Sequence, residues 1–156
     1  MPKKQQKQLD PVSAARKKVT PQEYSRQLEC LELRNIVLKD IKATLKTYKL
    51  TGRNTYHFDE KTELVIIDEK SALVEVAYSI KAKSGRKIVA DMKAKYLVGF
   101  TTSKKLSNEF FVLYNHYSLP IQTFPYFREC VHSLFNRMGL PPLMLPLRKF
   151  LLADSK

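Results

Sequence analysis

SALVEVAYSIKAKSGRKIVADMKAKYLVGF, residues 71–100, alternates apolar and polar side chains on either side of a Ser-Gly pair. Successive side chains of a strand point to opposite faces. In the first half Val74, Val76, Tyr78, Ile80 and Ala82 share one face, while Glu75, Ser79, Lys81 and Lys83 take the other. In the second half Ile88, Ala90, Met92, Ala94, Tyr96, Val98 and Phe100 alternate against Lys87, Asp91, Lys93 and Lys95. Ser84 and Gly85 supply the turn, so the segment predicts an antiparallel hairpin with one apolar face that another layer must cover.

Two downstream segments can supply that layer. In KKLSNEFFVLYNHYSL, residues 104–119, Leu106, Phe110, Leu113, Tyr114 and Tyr117 recur at helical spacing. In residues 122–147, QTFPYFRECVHSLFNRMGLPPLMLPL, the residues Phe127, Cys130, Val131, Leu134, Phe135 and Met138 form a second stripe. Pro125 suits a first helical turn and Gly139 a C-terminal cap, after which Pro141 and Pro142 forbid continuation. Upstream, RNIVLKDIKATLK reads as a strand whose alternation breaks near Asn35, as a bulge would require. TYKLTGRNTYHFDEKT then reads as a long connection carrying Tyr48, Tyr56 and Phe58, and ELVIIDEK as a short strand. QEYSRQLECLEL, residues 22–33, is either a short helix leading into a strand or already strand. Strands first and helices last define an α+β layout, an antiparallel sheet with packed helices.

The chain has 156 residues, enough for one core. Residues 1–22 are polar, basic and punctuated by proline, and read as a flexible basic arm ahead of a domain spanning 23–156. The net charge is +13, and six of the 28 basic residues, Lys3, Lys4, Lys7, Arg16, Lys17 and Lys18, crowd into the first 18 positions against only Asp10. Such an arm favours acidic partners. No stretch has the apolar length of a membrane span or a signal peptide, so a cytoplasmic address without membrane insertion is expected. Cys30 and Cys130 read as reduced, packed thiols.

Signs of catalysis are few. His57, His116 and His132 have no second ligand at metal-binding spacing, and the four glycines never form a phosphate loop. Cys130 and His132 lie two apart on a helix and so do not face each other. No catalytic residue, metal or cofactor is expected. Lys81, Lys83, Arg86 and Lys87 around the hairpin tip, continued by Lys93, Lys95, Lys104 and Lys105, keep nucleic acid as a secondary reading. Neither a basic recognition helix nor exposed aromatics on a basic sheet face support it. What a small sheet does not absorb is the apolar run Leu140, Leu143, Met144, Leu145, Leu147, Phe150, Leu151 and Leu152. That surplus implies a partner subunit or a groove for apolar chains.

Two stretches carry a resemblance. FPYFREC at 124–130 and RMGLPPLMLPLRKF at 137–150 resemble the signature of the SecB chaperones in Phe124, Pro125, Tyr126, Arg128 and Glu129, then Pro141, Pro142, Leu145, Pro146 and Phe150. NIVLKDI at 35–41 is similar to that family's first strand, with Lys39 and Asp40 in place. Over about residues 30–154 the resemblance implies a four-stranded antiparallel sheet and a homotetramer built as a dimer of dimers. It places Leu106, Phe110, Leu113, Tyr114 and Tyr117 between the dimers. It also implies grooves for unfolded client segments, framed by the main helix and the crossover loop, with Tyr56, Phe58, Leu134, Phe135, Met138, Leu143 and Leu145 as candidate client-binding residues.

The family's export chaperones meet the SecA motor through an acidic sheet face and a C-terminal tail. Lys81, Lys83, Lys93 and Lys95 reverse that sign, and the ending LLADSK leaves the last helix and tail absent or rudimentary. Both features argue against SecA. The chain is closer to the dedicated, ATP-independent chaperones of toxin–antitoxin–chaperone modules, whose client is an unstable antitoxin. A general export chaperone is the alternative.

Overall fold

The computed structural model describes residues 10–147. Its elements run α1 (Pro11–Lys18), α2 (Pro21–Leu28), β1 (Leu31–Leu45), β2 (Asn54–Ile67), β3 (Ser71–Ser84), β4 (Lys87–Thr102), α3 (Asn108–Tyr117) and α4 (Leu119–Arg137). The four strands form one antiparallel sheet in the order β1-β4-β3-β2, so the expected hairpin is its centre. Gly85 adopts φ +60° at the first turn position, the backbone a II′ hairpin turn requires. Val74, Val76, Tyr78, Ile80, Met92, Tyr96 and Val98 are all buried under the helices. Each fully buried Val or Ile contributes about 1.5–3 kcal/mol, which makes this face the main source of stability.

The expected strand bulge is present. Register shifts fall between Leu33 and Asn35 and again between Leu38 and Asp40. A third irregularity, between Ala82 and Lys83 on β3, rotates the start of β4, so Ile88 is exposed and Val89 is buried beside Ala90. Ile88 therefore leaves the apolar face on which its alternation had placed it.

Four further expectations are corrected. Tyr56 and Phe58 lie on β2 rather than in a loop, because that strand is much longer than ELVIIDEK and pairs with β3 from Asn54 to Ile67. The connection shrinks to 46–53. Second, α4 begins at Leu119, with Pro120 in its first turn and Pro125 inside it. Proline removes one backbone donor, and here the site is tolerated because both Pro125 and Ile121 face solvent, where water can reach the freed carbonyl.

Third, residues 10–22 are not a free arm. Helix α1 lays Ala15 and Val19 against Leu113 of α3, with Tyr117 packed alongside. Lys18 Nζ donates to Glu109 Oε1 at 2.9 Å, and Arg16 lies 5.1 Å from the centre of the Tyr117 ring. Thr20 caps α2 by accepting from the Glu23 N–H at 3.1 Å. Fourth, the α3 stripe is largely internal: Leu106, Phe110, Leu113 and Tyr114 are buried within the protomer, and only Tyr117 is partly open. Phe110 stacks on Tyr114, and Tyr114 meets Phe100 edge to face. Those side chains are spent on the chain's own core, so they offer little to a neighbouring subunit. Cys30 and Cys130 are free thiols.

Lys3, Lys4, Lys7, Phe150, Leu151, Leu152 and the segment LLADSK lie outside the described residues. Among the described residues, no helix is long and apolar enough to cross a membrane.

Candidate functional site

Helix α4 is fixed to the sheet by its buried face. Tyr78 and Thr123 share a hydrogen bond of 2.6 Å between their hydroxyls, and Thr123 also donates to the Leu119 carbonyl at 3.0 Å. Phe127 stacks on Tyr78 with ring centres 4.9 Å apart. The Tyr96 hydroxyl donates to Cys130 Sγ at 3.4 Å. Burial first, and then the Cys130 contact, push the Tyr96 phenol above its ordinary value. Burial likewise pushes Tyr114 up to about 12, so both phenols stay neutral donors at physiological pH.

At its far end α4 stops as Gly139 predicts. Gly139 has φ +68°, its N–H donates to Asn136 at 3.0 Å, and the Leu140 N–H donates to Phe135 at 3.1 Å. That pair of bonds is a Schellman cap, and it turns the chain back so that Leu140 meets Phe135. Leu140, Leu143 and Leu145 then bury themselves alternately along an extended segment, while Met144 and Leu147 are left 69% and 65% exposed. A segment that buries alternate residues presents the others as a continuous apolar edge.

Two apolar crevices flank this end of the molecule. One, of about 270 Å³, runs between the outer side of α4 and the extended segment, with Pro125, Arg128, His132, Leu143 and Met144 on its walls. Tyr126, 51% exposed, lies on the same helix. The other is far smaller, about 10 Å³, and lies among Leu50, Tyr56, Phe135, Leu140 and Pro141 beside Lys83. A larger cavity of about 520 Å³ between β2 and the α3–α4 junction has mixed walls, with Asp59, Glu60, Asn115 and His116 beside Phe58, Val112 and Pro120.

The seven candidate client residues divide accordingly. Tyr56 is 39% exposed and lines the smaller crevice, and Leu134 and Met138 are half-buried with open edges. Phe58 is half-buried in an aromatic cluster, 5.5 Å from Phe124 and 5.9 Å from Tyr78. Phe135, Leu143 and Leu145 are core residues, each less than a tenth exposed, because the Schellman turn folds the apolar segment back onto the sheet. Phe135 and Leu143 form crevice walls, whereas Leu145 lines neither crevice. The exposed partners Leu50, Tyr126, Met144 and Leu147 were not among the seven. For the last two the sequence signal is the alternation 143–147 itself.

The opposite face of the sheet carries charge. Glu75 accepts from Lys39 at 2.6 Å and from Lys95 at 3.2 Å, and these two lysines hold its carboxyl below the usual carboxylate range. Lys81 and Lys93 are exposed beside them. The face is therefore a mixed network with an excess of lysines.

A four-stranded antiparallel sheet in the order β1-β4-β3-β2, covered by one long helix that runs through a glycine cap into a proline-bounded apolar segment, is the SecB-like chaperone fold. The Rv1957 SecB-like chaperone of Mycobacterium tuberculosis, solved in complex with a ChAD peptide from the Rv1956 HigA1 antitoxin, matches it with a TM-score of 0.73 and 20% sequence identity, over 81% of this chain and 97% of that one. A protein of unknown function from Streptococcus agalactiae matches with a TM-score of 0.45 and 8% identity, over 75% of this chain and 97% of that one. No protein-family model and no curated protein matches the sequence.

Proposed function

We propose that this chain is an ATP-independent, SecB-like chaperone that holds an apolar segment of a client protein, and that the client is an unstable antitoxin of a toxin–antitoxin–chaperone module. The observation that carries this reading is the apolar edge beside α4: Tyr126, Met144 and Leu147 stay more than half exposed although the buried side chains beside them complete the core. Solvent-facing Met and aromatic side chains suit a surface that accepts extended segments by burying area, at about 25 cal/mol per Å². The matched fold, solved with an antitoxin peptide on a SecB-like chaperone, supports the same reading. Holding requires no bond making, so the role is binding rather than catalysis, carried out in the cytoplasm.

The working form we propose is an oligomer of this chain, the tetramer implied by the resemblance. Surface for a second copy is available along β1, where Leu33, Leu38, Ile41 and Leu45 are about two-fifths exposed. The lysine excess on the sheet face weighs against SecA as a partner. The test is native mass spectrometry of the protein gently purified from its host, joined to an aggregation assay on a thermolabile substrate without ATP. One small antitoxin bound to an oligomer, with protection lost in the Tyr126→Asp, Met144→Asp double variant, is the expected result. A double variant that protects as well as the parent would sink this placement of the site.

A further inference from the structure

Helix α4 carries two stripes. Phe124, Phe127, Val131 and Phe135 bury the inner one against the sheet. Pro125, Arg128, Glu129 and His132, spaced i, i+3, i+4 and i+7, form an outer one. These four make one wall of the crevice of about 270 Å³, and Leu143 and Met144 make the other.

Arg128 differs from the other arginines of the chain. It is half-buried, whereas Arg16, Arg26, Arg34, Arg53, Arg86 and Arg137 are all exposed. Among the described residues its guanidinium has no carboxylate within ion-pair distance and no hydrogen-bond partner. Glu129, the adjacent wall residue, does not pair with it, because consecutive helical side chains point about 100° apart. A guanidinium holds its N–H donors in a rigid plane and keeps its charge at any physiological pH. Drawing it part of the way out of water without a partner costs free energy. A carboxylate docked in the crevice offsets that cost through two parallel, charge-assisted hydrogen bonds.

The other wall bears on what the carboxylate is attached to. Leu143 and Met144 belong to an extended run, and among the described residues the N–H groups of Leu143, Met144 and Leu145 donate to no acceptor. Open main-chain donors beside apolar side chains suit a neighbouring extended peptide.

Resting on the chaperone reading above, we propose that Arg128 is a specificity determinant of this crevice: it pairs with a carboxylate of the client segment, while the apolar side chain next to that carboxylate packs on Pro125, Leu143 and Met144. An Asp or Glu side chain and the end of the client chain present the same two oxygens, so either can supply the group. Glu129 repels a carboxylate offset from Arg128, and the two together define a register. An apolar segment bearing Lys or Arg at that point meets an unpaired cation and is excluded.

The experiment uses the full-length chain and four peptides with an N-terminal fluorescein and one Leu-Tyr-Phe-Ile-Leu core, read by fluorescence polarisation. One ends in a free acid and one in an amide, and two amidated peptides carry a single Glu or a single Gln after the core. A charge-assisted pair at a half-exposed site gives an acidic peptide roughly a tenfold advantage over its neutral counterpart. Free acid above amide assigns the carboxylate to chain ends and Glu above Gln assigns it to side chains, and either result supports the proposal. Acidic and neutral peptides are expected to bind Arg128→Met equally, whereas Arg128→Lys, which keeps the charge without the fork, retains part of the difference. The comparison on the parent chain stands whether or not either variant folds. Equal affinity of acidic and neutral peptides for the parent, or a preference that survives in folded Arg128→Met, overturns the proposal and leaves the chaperone reading standing. Failure of all four peptides to bind overturns both.

Discussion

Leu134 and Phe135 are adjacent on α4 and equally apolar, yet the fold gives them different work. Phe135 is 1% exposed, sits under the Schellman turn and accepts the Leu140 N–H through its carbonyl. Leu134 is half-buried at the helix margin. Truncating Phe135 to Ala removes a fully packed ring and leaves a cavity, a loss of about 3–5 kcal/mol. Against a total stability of about 5–15 kcal/mol that is a fifth or more of what holds the chain folded. For a chain of this length each kcal/mol moves Tm by about 2–4 °C, so the melt falls by roughly 6–20 °C. Leu134→Ala forfeits only part of a transfer term, about 1 kcal/mol, and shifts Tm by roughly 2–4 °C. Thermal melts by circular dichroism and urea titrations measure both, and an unchanged urea slope shows that stability itself has changed. The same logic separates Phe135→Asp, which unfolds the chain, from Leu134→Asp, which leaves it folded and weakens client binding. Equal losses for the two alanine variants, or a Phe135→Ala melt within 2 °C of the parent, would refute the assignment of Phe135 to the core.

Two more perturbations test other links. Pro125 occupies an exposed position inside α4, where proline lacks a donor and is intrinsically worth about 3 kcal/mol less than alanine. Pro125→Ala is expected to raise stability by about 1–3 kcal/mol in urea titrations while altering peptide affinity at the crevice whose wall Pro125 forms; a destabilised variant would show that the ring is needed for packing. Lys39 and Lys95 hold Glu75 below its ordinary value of 4.5, so its contribution is present above that pH and is lost as pH falls through the lowered folded value. Glu75→Gln should therefore flatten part of the acid-side fall in urea midpoint between pH 5 and 3, and parallel pH profiles for parent and variant would contradict the ion-pair assignment.

How much was legible follows from signal strength. The β3–β4 hairpin alternates strictly and closes on Gly85, so both its faces could be read except at Ile88, which a bulge displaced. Strand β2 could not be read so easily: its inner-face residues Tyr56, Phe58, Glu60, Thr62 and Leu64 mix polar and apolar types, because an edge strand is only partly covered. The start of α4 was masked by Pro125, which fits a first turn as well as an interior site that faces water. The helices before β1 did have signals, Pro11 after Asp10 and the Thr20, Glu23 capping pair, but their buried face consists of small residues such as Ala15 and Val19, which raise little hydrophobic contrast. The candidate client residues were legible as apolar and illegible as exposed. Periodicity reports which residues share a face, and only the packing decides which of them the core consumes.

That division has a geometric cause. Four strands spaced about 4.8 Å apart make a sheet roughly 19 Å wide, whereas one helix with its side chains is about 10–12 Å across. Helix α4 can therefore bury the inner face of two strands, and it buries β3 and β4, whose inner residues are almost fully enclosed. The inner faces of β1 and β2 are left at the margins, which is why Leu33, Leu38, Ile41 and Leu45 on one side and Tyr56 on the other remain about two-fifths exposed. Widening the cover with a second long helix would make a more stable monomer and remove the surface. The helices at the start of the chain do not do this, since α1 packs on α3 and leaves the sheet margins open. Exposed apolar margins on both sides of a well-packed centre are thus built into the layer geometry, and a fold of this kind keeps its own stability in two strands while leaving apolar side chains of the other two in solvent.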